Sequence, residues 1–213
     1  ERLVDASGSQ ITALLGIERL EETTRAGAAA ASRAAASALS LAAWDLAGQQ
    51  QSCACADLWG RSSGRREIEC YASALWQEQS IADLILEAKA YRDQNFRFVK
   101  MRSVRSLSDN LERITAVRTI YPEPRTIAIE AAGAGWDVTA TNEFLRNAPT
   151  QYLWTEDPVA YDLIGRISES ANSNIAAGEK CPSTAELIEL FDSGNVRSLI
   201  VDVQCVGGPI RFL

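Results

Sequence analysis

The sequence predicts an α/β protein: an incomplete (β/α)8 barrel of the TIM type, with about six strands, behind a helical N-terminal segment. Three observations carry this expectation. Residues 1–65 are dominated by good helix formers, short apolar stretches alternate with helical ones from residue 66 to 213, and charged residues recur in step at the ends of the apolar stretches.

In the N-terminal segment, "IERLEETTRAG" and "AAAASRAAASALSLAAWDLAGQQ" are rich in Ala, Leu, Glu and Arg, residues that lose little on entering a helix. Leu41, Trp44 and Asp45 fall on neighbouring turns, and Gly48 is the predicted stop. The small side chains of the Ala run allow close helix packing.

From residue 66 the pattern repeats. "EIECYAS" is followed by "SIADLILEAKAYRDQ", "FRFVKMR" by "LSDNLERITAVRTIY", and "RTIAIEA" by "DVTATNEFLRN". "QYLWTED" leads to "AYDLIGRISESA", "NIAAGE" to "STAELIELFDS", and "SLIVDVQ" is the sixth predicted strand. Strands alternating with helices are the signature of parallel βαβ units.

At or near the predicted strand ends sit Lys100 with Arg102, then Glu130, Glu156, Glu179 and Asp202, spaced from Arg102 onward by 28, 26, 23 and 23 residues. Side chains alternate across a strand, so Lys100 and Arg102 share a face, whereas Lys180 is expected to turn away from Glu179. In a (β/α)8 barrel the C-terminal strand ends converge on one mouth, where the active site lies. Three carboxylates on successive strands form a hard oxygen set suited to Mg²⁺. A divalent ion facing a lysine suits removal of a proton next to a carboxylate. Spacing alone does not exclude a network of ion pairs across the mouth with no metal, although the metal reading is preferred.

Composition narrows the classes. Net charge is −7 with no basic block, which argues against nucleic acid as a partner. No apolar run reaches the length of about 18 residues that a membrane span needs, and "ERLVDASGSQ" has no apolar core of a signal peptide. The cysteines Cys53, Cys55, Cys70, Cys181 and Cys205 are scattered and odd in number, which points to reduced thiols and a cytoplasmic location. The chain has no histidine, so acid–base chemistry within it falls to Lys, Asp, Glu, Tyr or Cys. The five tryptophans and Tyr71 read as packing residues, with Tyr71 placed at the end of a strand. Gly207-Gly208 reads as a tight turn.

At these residues the sequence resembles the enolase superfamily, in the branch of mandelate racemase and the acid-sugar dehydratases. "ASALSLAAWDLAGQQ" is similar to the helix that closes the family's capping domain, and "ADLWGRSSGRREIECYAS" to the approach to the first barrel strand. "VKMR" stands at the K-x-K pair, "IEAAGAGWD" at the D-x-N segment, and "WTEDPV" at the E-x-P segment. "IAAGE" matches the G-E segment and "VDVQCVGGPI" the D-x-x-x-x-G-G segment. The resemblance implies helices of a capping domain over 1–65 and the barrel domain over 66–213. It implies Mg²⁺ held by Glu130, Glu156 and Glu179, with Lys100, Arg102 and Asp202 as catalytic residues.

The implied activity is a Mg²⁺-dependent lyase or isomerase that abstracts the α-proton of a carboxylate, with acid-sugar dehydration the leading reading. A small acid-sugar substrate and a homo-oligomeric assembly belong to the same implication. Three departures stand in the site: Glu130 replaces a usual Asp, Ala132 a usual Asn, and Arg102 the second lysine, often the base. Arginine stays protonated, with a pKa above about 12. They support an alternative, a catalytically silent relative that binds a ligand or serves as an assembly subunit. Asp202 matches an aspartate that orients a histidine base from the next strand, and it argues against the branch with a lysine in the sixth strand. No small capping sheet precedes Glu1, and six strands cannot close an eight-stranded barrel. The expectation is a fragment of a longer chain, whose histidine content this stretch does not report, with a degenerate half-barrel as the alternative.

Overall fold

A computed structural model describes residues 30–59, 67–147, 151–168 and 174–209. The helix expected from "IERLEETTRAG" lies outside the described residues. In chain order the elements are α1 (Ala30–Gln51), α2 (Cys55–Leu58), β1 (Tyr71–Ala74), α3 (Ile81–Asp93), β2 (Phe98–Arg102) and α4 (Leu107–Arg118). There follow β3 (Ile127–Glu130), α5 (Val138–Asn147), β4 (Thr155–Glu156), a 3-10 turn (Tyr161–Arg166), β5 (Ile175–Ala177), α6 (Thr184–Asp192), β6 (Val196–Leu199) and α7 (Val203–Val206). Contacts divide the chain into two compact units. One is Glu1–Ile68 with Gly178–Ile188 and Val201–Leu213; the other is Glu69–Ala177 with Glu189–Ile200.

In the first unit, Ala36, Ser37, Ser40, Trp44 and Ala47 form the buried stripe of α1, at the spacing of one helix face. Ser37 Oγ donates to the Val203 carbonyl at 2.9 Å, tying α1 to α7. The Trp44 and Trp59 rings meet edge to face at 5.7 Å. The predicted stop at Gly48 falls inside α1, which continues to Gln51. A Cβ at Gly48 would come within 2.8 Å of the Cys53 carbonyl, so glycine serves close backbone approach there. Ser52, at φ 54°, turns the chain out of the helix.

The second unit holds a six-stranded, all-parallel sheet in the order β1-β2-β3-β4-β5-β6. Strictly sequential order is the order of a (β/α) barrel, whereas a doubly wound sheet reverses at a switch point. The α/β, partial-barrel expectation is therefore met. Val99, Met101, Ile127, Ile129 and Ile175 are buried, and all four residues of β3 are buried, as expected for a parallel strand covered on both faces. Polar caps start the helices after β1, β2 and β3: Ser80 accepts from Asp83 N, Ser106 from Asp109 N, and Asp137 from Ala140 N.

Two further local expectations change. The helix predicted from "AYDLIGRISESA" is a 3-10 stretch, Tyr161–Arg166, after which Ile167 is extended; Gly165 is a poor helix former. The strand predicted from "SLIVDVQ" ends at Leu199, because Asp202 caps Gln204 N and begins the short α7. No helix among the described residues is long and apolar enough to cross a membrane.

Candidate metal centre

Strand register assembles the charges in the second unit. Arg102 pairs with Glu130, and Glu130 with Glu156. Paired residues of parallel strands point to the same face, so three charged side chains leave one face at one level. Lys100 leaves that face one level deeper and reaches up to the carboxylates. Its Nζ donates to Glu130 Oε2 at 3.0 Å and to Glu156 Oε1 at 2.8 Å. Arg102 Nη1 lies 3.0 Å from Glu130 Oε2. Glu130 is 1% exposed and Glu156 0%, and their carboxylate oxygens lie within 4.8 Å of one another.

The remaining oxygens also have donors. Glu130 Oε1 accepts the Ala132 backbone N–H at 3.1 Å, and Glu156 Oε2 accepts the Trp154 indole N–H at 2.9 Å. The longer Glu130, in place of an Asp, thus folds back onto the backbone amide of the residue that replaces Asn.

Aromatic rings surround the cations. Lys100 Nζ lies 5.7 Å from the Tyr71 ring centre, and Trp154 meets Tyr71 edge to face at 5.3 Å. The Arg102 guanidinium lies 5.2 Å from the Trp76 ring centre. Buried Arg113 holds the Trp76 loop by donating to the carbonyls of Trp76 at 2.7 Å and Gln79 at 2.9 Å. Sequence reasoning treats Trp154 and Trp76 as fillers. The i, i+2 spacing of Trp154, just before β4, and Glu156 within it was the available signal.

The electrostatics follow from burial and pairing. Burial alone would lower the Lys100 pKa, but hydrogen bonds and charge from Glu156 and Glu130 outweigh it and hold the ammonium above the usual lysine value. For Glu130, burial opposes ionisation, while its hydrogen bonds with Glu156 and Lys100 and the charges of Lys100 and Arg102 bring it below the ordinary carboxylate value. Burial, then the adjoining Glu130, pushes Glu156 up to about 7 against the pull of Lys100. Two water-excluded carboxylates with hard oxygen donors fit a divalent ion such as Mg²⁺.

The other expected site residues belong to the first unit. Glu179 lies two residues beyond β5; its side chain is 34% exposed and 3.6 Å from Lys180 Nζ. Strand alternation does not separate Glu179 from Lys180, because both lie in the turn after the strand. Asp202 Oδ1 accepts Gln204 N–H at 2.7 Å. Burial, then the charges of Asp202 and Glu179, pushes the Cys205 thiol up, which disfavours a thiolate nucleophile. None of the five cysteines forms a disulfide.

Residues 83–213, more than half of the chain, match the family described as enolase C-terminal domain-like. The chain is similar to 3,6-anhydro-alpha-L-galactonate cycloisomerase of Streptomyces coelicolor, 28% identical over 193 residues, which are 88% of this chain and 52% of that protein. It superimposes at TM-score 0.77 and 25% identity on L-talarate dehydratase from Polaromonas sp. JS666, solved with Mg and L-glucarate, covering 92% of this chain and 57% of that one. A racemase from Streptomyces coelicolor A3(2) with bound magnesium gives the same score and identity over 99% of this chain and 59% of its own. The chain thus spans about half the length of the curated relatives it matches. These relatives are enzymes, among them a dehydratase, a cycloisomerase and a racemase, and two were solved with magnesium. From the family match and these likenesses, the chain belongs to the enolase superfamily, in the branch of mandelate racemase and the acid-sugar dehydratases.

Proposed function

We propose that the protein containing this chain is a Mg²⁺-dependent lyase or isomerase that abstracts the proton α to a substrate carboxylate, with dehydration of an acid sugar as its reaction. The observation that carries this reading is the buried Glu130–Glu156 pair at aligned ends of adjacent strands, facing Lys100 and Arg102. Glu130 and Glu156 would hold the ion, with Glu179 as the third ligand; the support for Glu179 is its place just after β5, the next strand in the sheet. Mg²⁺ held there would neutralise negative charge that develops on the substrate carboxylate.

The chain's own residues supply the rest. Lys100 Nζ takes the α-proton once the charge of the two carboxylates is otherwise occupied. Those carboxylates are what hold its pKa up, and burial then drives it down. Arg102 binds the substrate carboxylate through its guanidinium. The Tyr71 and Trp76 rings lie against Lys100 and Arg102 respectively. The family resemblance supports a role for Asp202 in orienting an acid–base group. Segment 1–65 belongs to the capping domain and 66–213 to the barrel. Five scattered cysteines outside any disulfide support a cytoplasmic location, and the family resemblance supports a homo-oligomer.

The test is deuterium exchange at the α-carbon across a panel of acid sugars, using the intact protein with Mg²⁺. Exchange is expected, and it is lost in Lys100→Ala. Absence of Mg²⁺ binding, or binding unchanged in Glu156→Gln/Glu179→Gln, overturns the reading. The Arg102–Glu130 ion pair favours a second reading, a catalytically silent relative that binds a ligand or serves in an assembly. Mg²⁺ binding without exchange on any member of the panel supports that form.

A further inference from the structure

We propose that Trp154 is a positioning residue for Glu156: its indole N–H fixes one carboxylate oxygen and thereby decides which oxygen Glu156 presents to a cation. The inference rests on the metal-binding reading above.

Trp154 stands two residues before Glu156, so both side chains leave the same side of the chain. Its Nε1 donates to Glu156 Oε2 at 2.9 Å, while Glu156 Oε1 turns to Lys100 at 2.8 Å. Glu156 is fully buried, so bulk water does not compete for Oε2. The indole is itself held in place. The Trp154 carbonyl accepts Ile129 N–H at 2.9 Å, and the ring packs edge to face on Tyr71 at 5.3 Å. The Tyr71 ring in turn faces Lys100. Tyr71, Lys100, Trp154 and Glu156 thus form a closed circuit from β1, β2 and the β4 line. A carboxylate free to rotate presents either oxygen, whereas this one is pinned by a neutral donor with no other task. Mg²⁺ demands near-ideal ligand placement, and groups that orient metal ligands strongly affect affinity.

The test is Mg²⁺ titration calorimetry on the intact protein, comparing wild type, Trp154→Phe, and replacement of Trp154 by 3-benzothienylalanine. The last keeps the bicyclic ring and carries sulfur where indole has N–H. A pure packing role leaves its Mg²⁺ affinity at the wild-type value. The expected result is a dissociation constant about tenfold or more above wild type in both variants. An unchanged constant in the benzothienylalanine protein overturns this inference alone. A wild type that binds no Mg²⁺ overturns the metal reading and this inference with it.

Discussion

The ends of β3 and β4 contrast with the turns that follow β5 and β6. All four carry a carboxylate at or just past a strand end. Glu130 and Glu156 are the last residues of their strands, lie in register, and are buried against Lys100. Glu179 and Asp202 lie two and three residues past their strands and interact locally, Glu179 with Lys180 and Asp202 with the first turn of α7. A carboxylate on the strand is placed by the sheet. One in the following turn is placed by its own few residues. Substitutions at the first kind should therefore move chemistry and stability strongly, and at the second kind less.

Glu156→Gln gives the largest effect. It keeps the shape and removes a charged ligand, so loss of several kcal/mol of metal assistance lowers turnover by about a thousandfold or more. Stability of the metal-free protein moves the other way. The Glu156 pKa is raised to about 7, so the stability that its protonation contributes is present below the ordinary carboxylate range and lost as pH rises through 7. Gln carries no such dependence. Thermal unfolding at pH 8 without Mg²⁺ should show Glu156→Gln melting several degrees above wild type. A mutant that melts lower across the whole range would break the contrast at its strongest point.

Lys100→Met comes next. It leaves two buried carboxylates without their shared ammonium, and breaking such a pairing costs about 3–5 kcal/mol. Denaturant unfolding at pH 8 should record that loss. It should shrink as pH falls, because protonation removes the unpaired charge, and shrink on adding Mg²⁺, which stabilises the state that binds it.

Both predictions concern residues that the sequence already groups, although their burial and pairing come from the fold. The alternation of strands and helices was readable because apolar runs such as "FVKM" and "IAI" are bounded by helix formers with Ser or Asp at their starts. The grouping of Arg102, Glu130 and Glu156 was readable because each unit of a regular βαβ repeat brings the next strand end to one level. Donors that complete the site were not. Ala132 contributes a backbone N–H, which no side-chain pattern reports, and Trp154 has the composition of a core residue. The end of β6 was misplaced for a related reason. "SLIVDVQ" is apolar enough for a strand throughout, and only the hydrogen bond from Gln204 N–H to Asp202 decides that the chain turns into a helix there. Long-range register is encoded redundantly, whereas a local cap depends on one side chain.

Asp202 tests the weaker side of the contrast. Asn caps a helix about as well as Asp, whereas Ala forfeits about 1 kcal/mol. Asp202→Asn should therefore unfold like wild type, and Asp202→Ala should lose about that amount. If Asp202 also orients a base, the neutral amide cannot replace its charge, and both variants should lose turnover by about ten- to a hundredfold. Unfolding reads the cap and turnover reads the orientation, so the two roles separate within one pair of proteins. Full turnover in Asp202→Asn would leave Asp202 a cap and nothing more, and would confine the chemistry of this chain to residues that the sheet itself places.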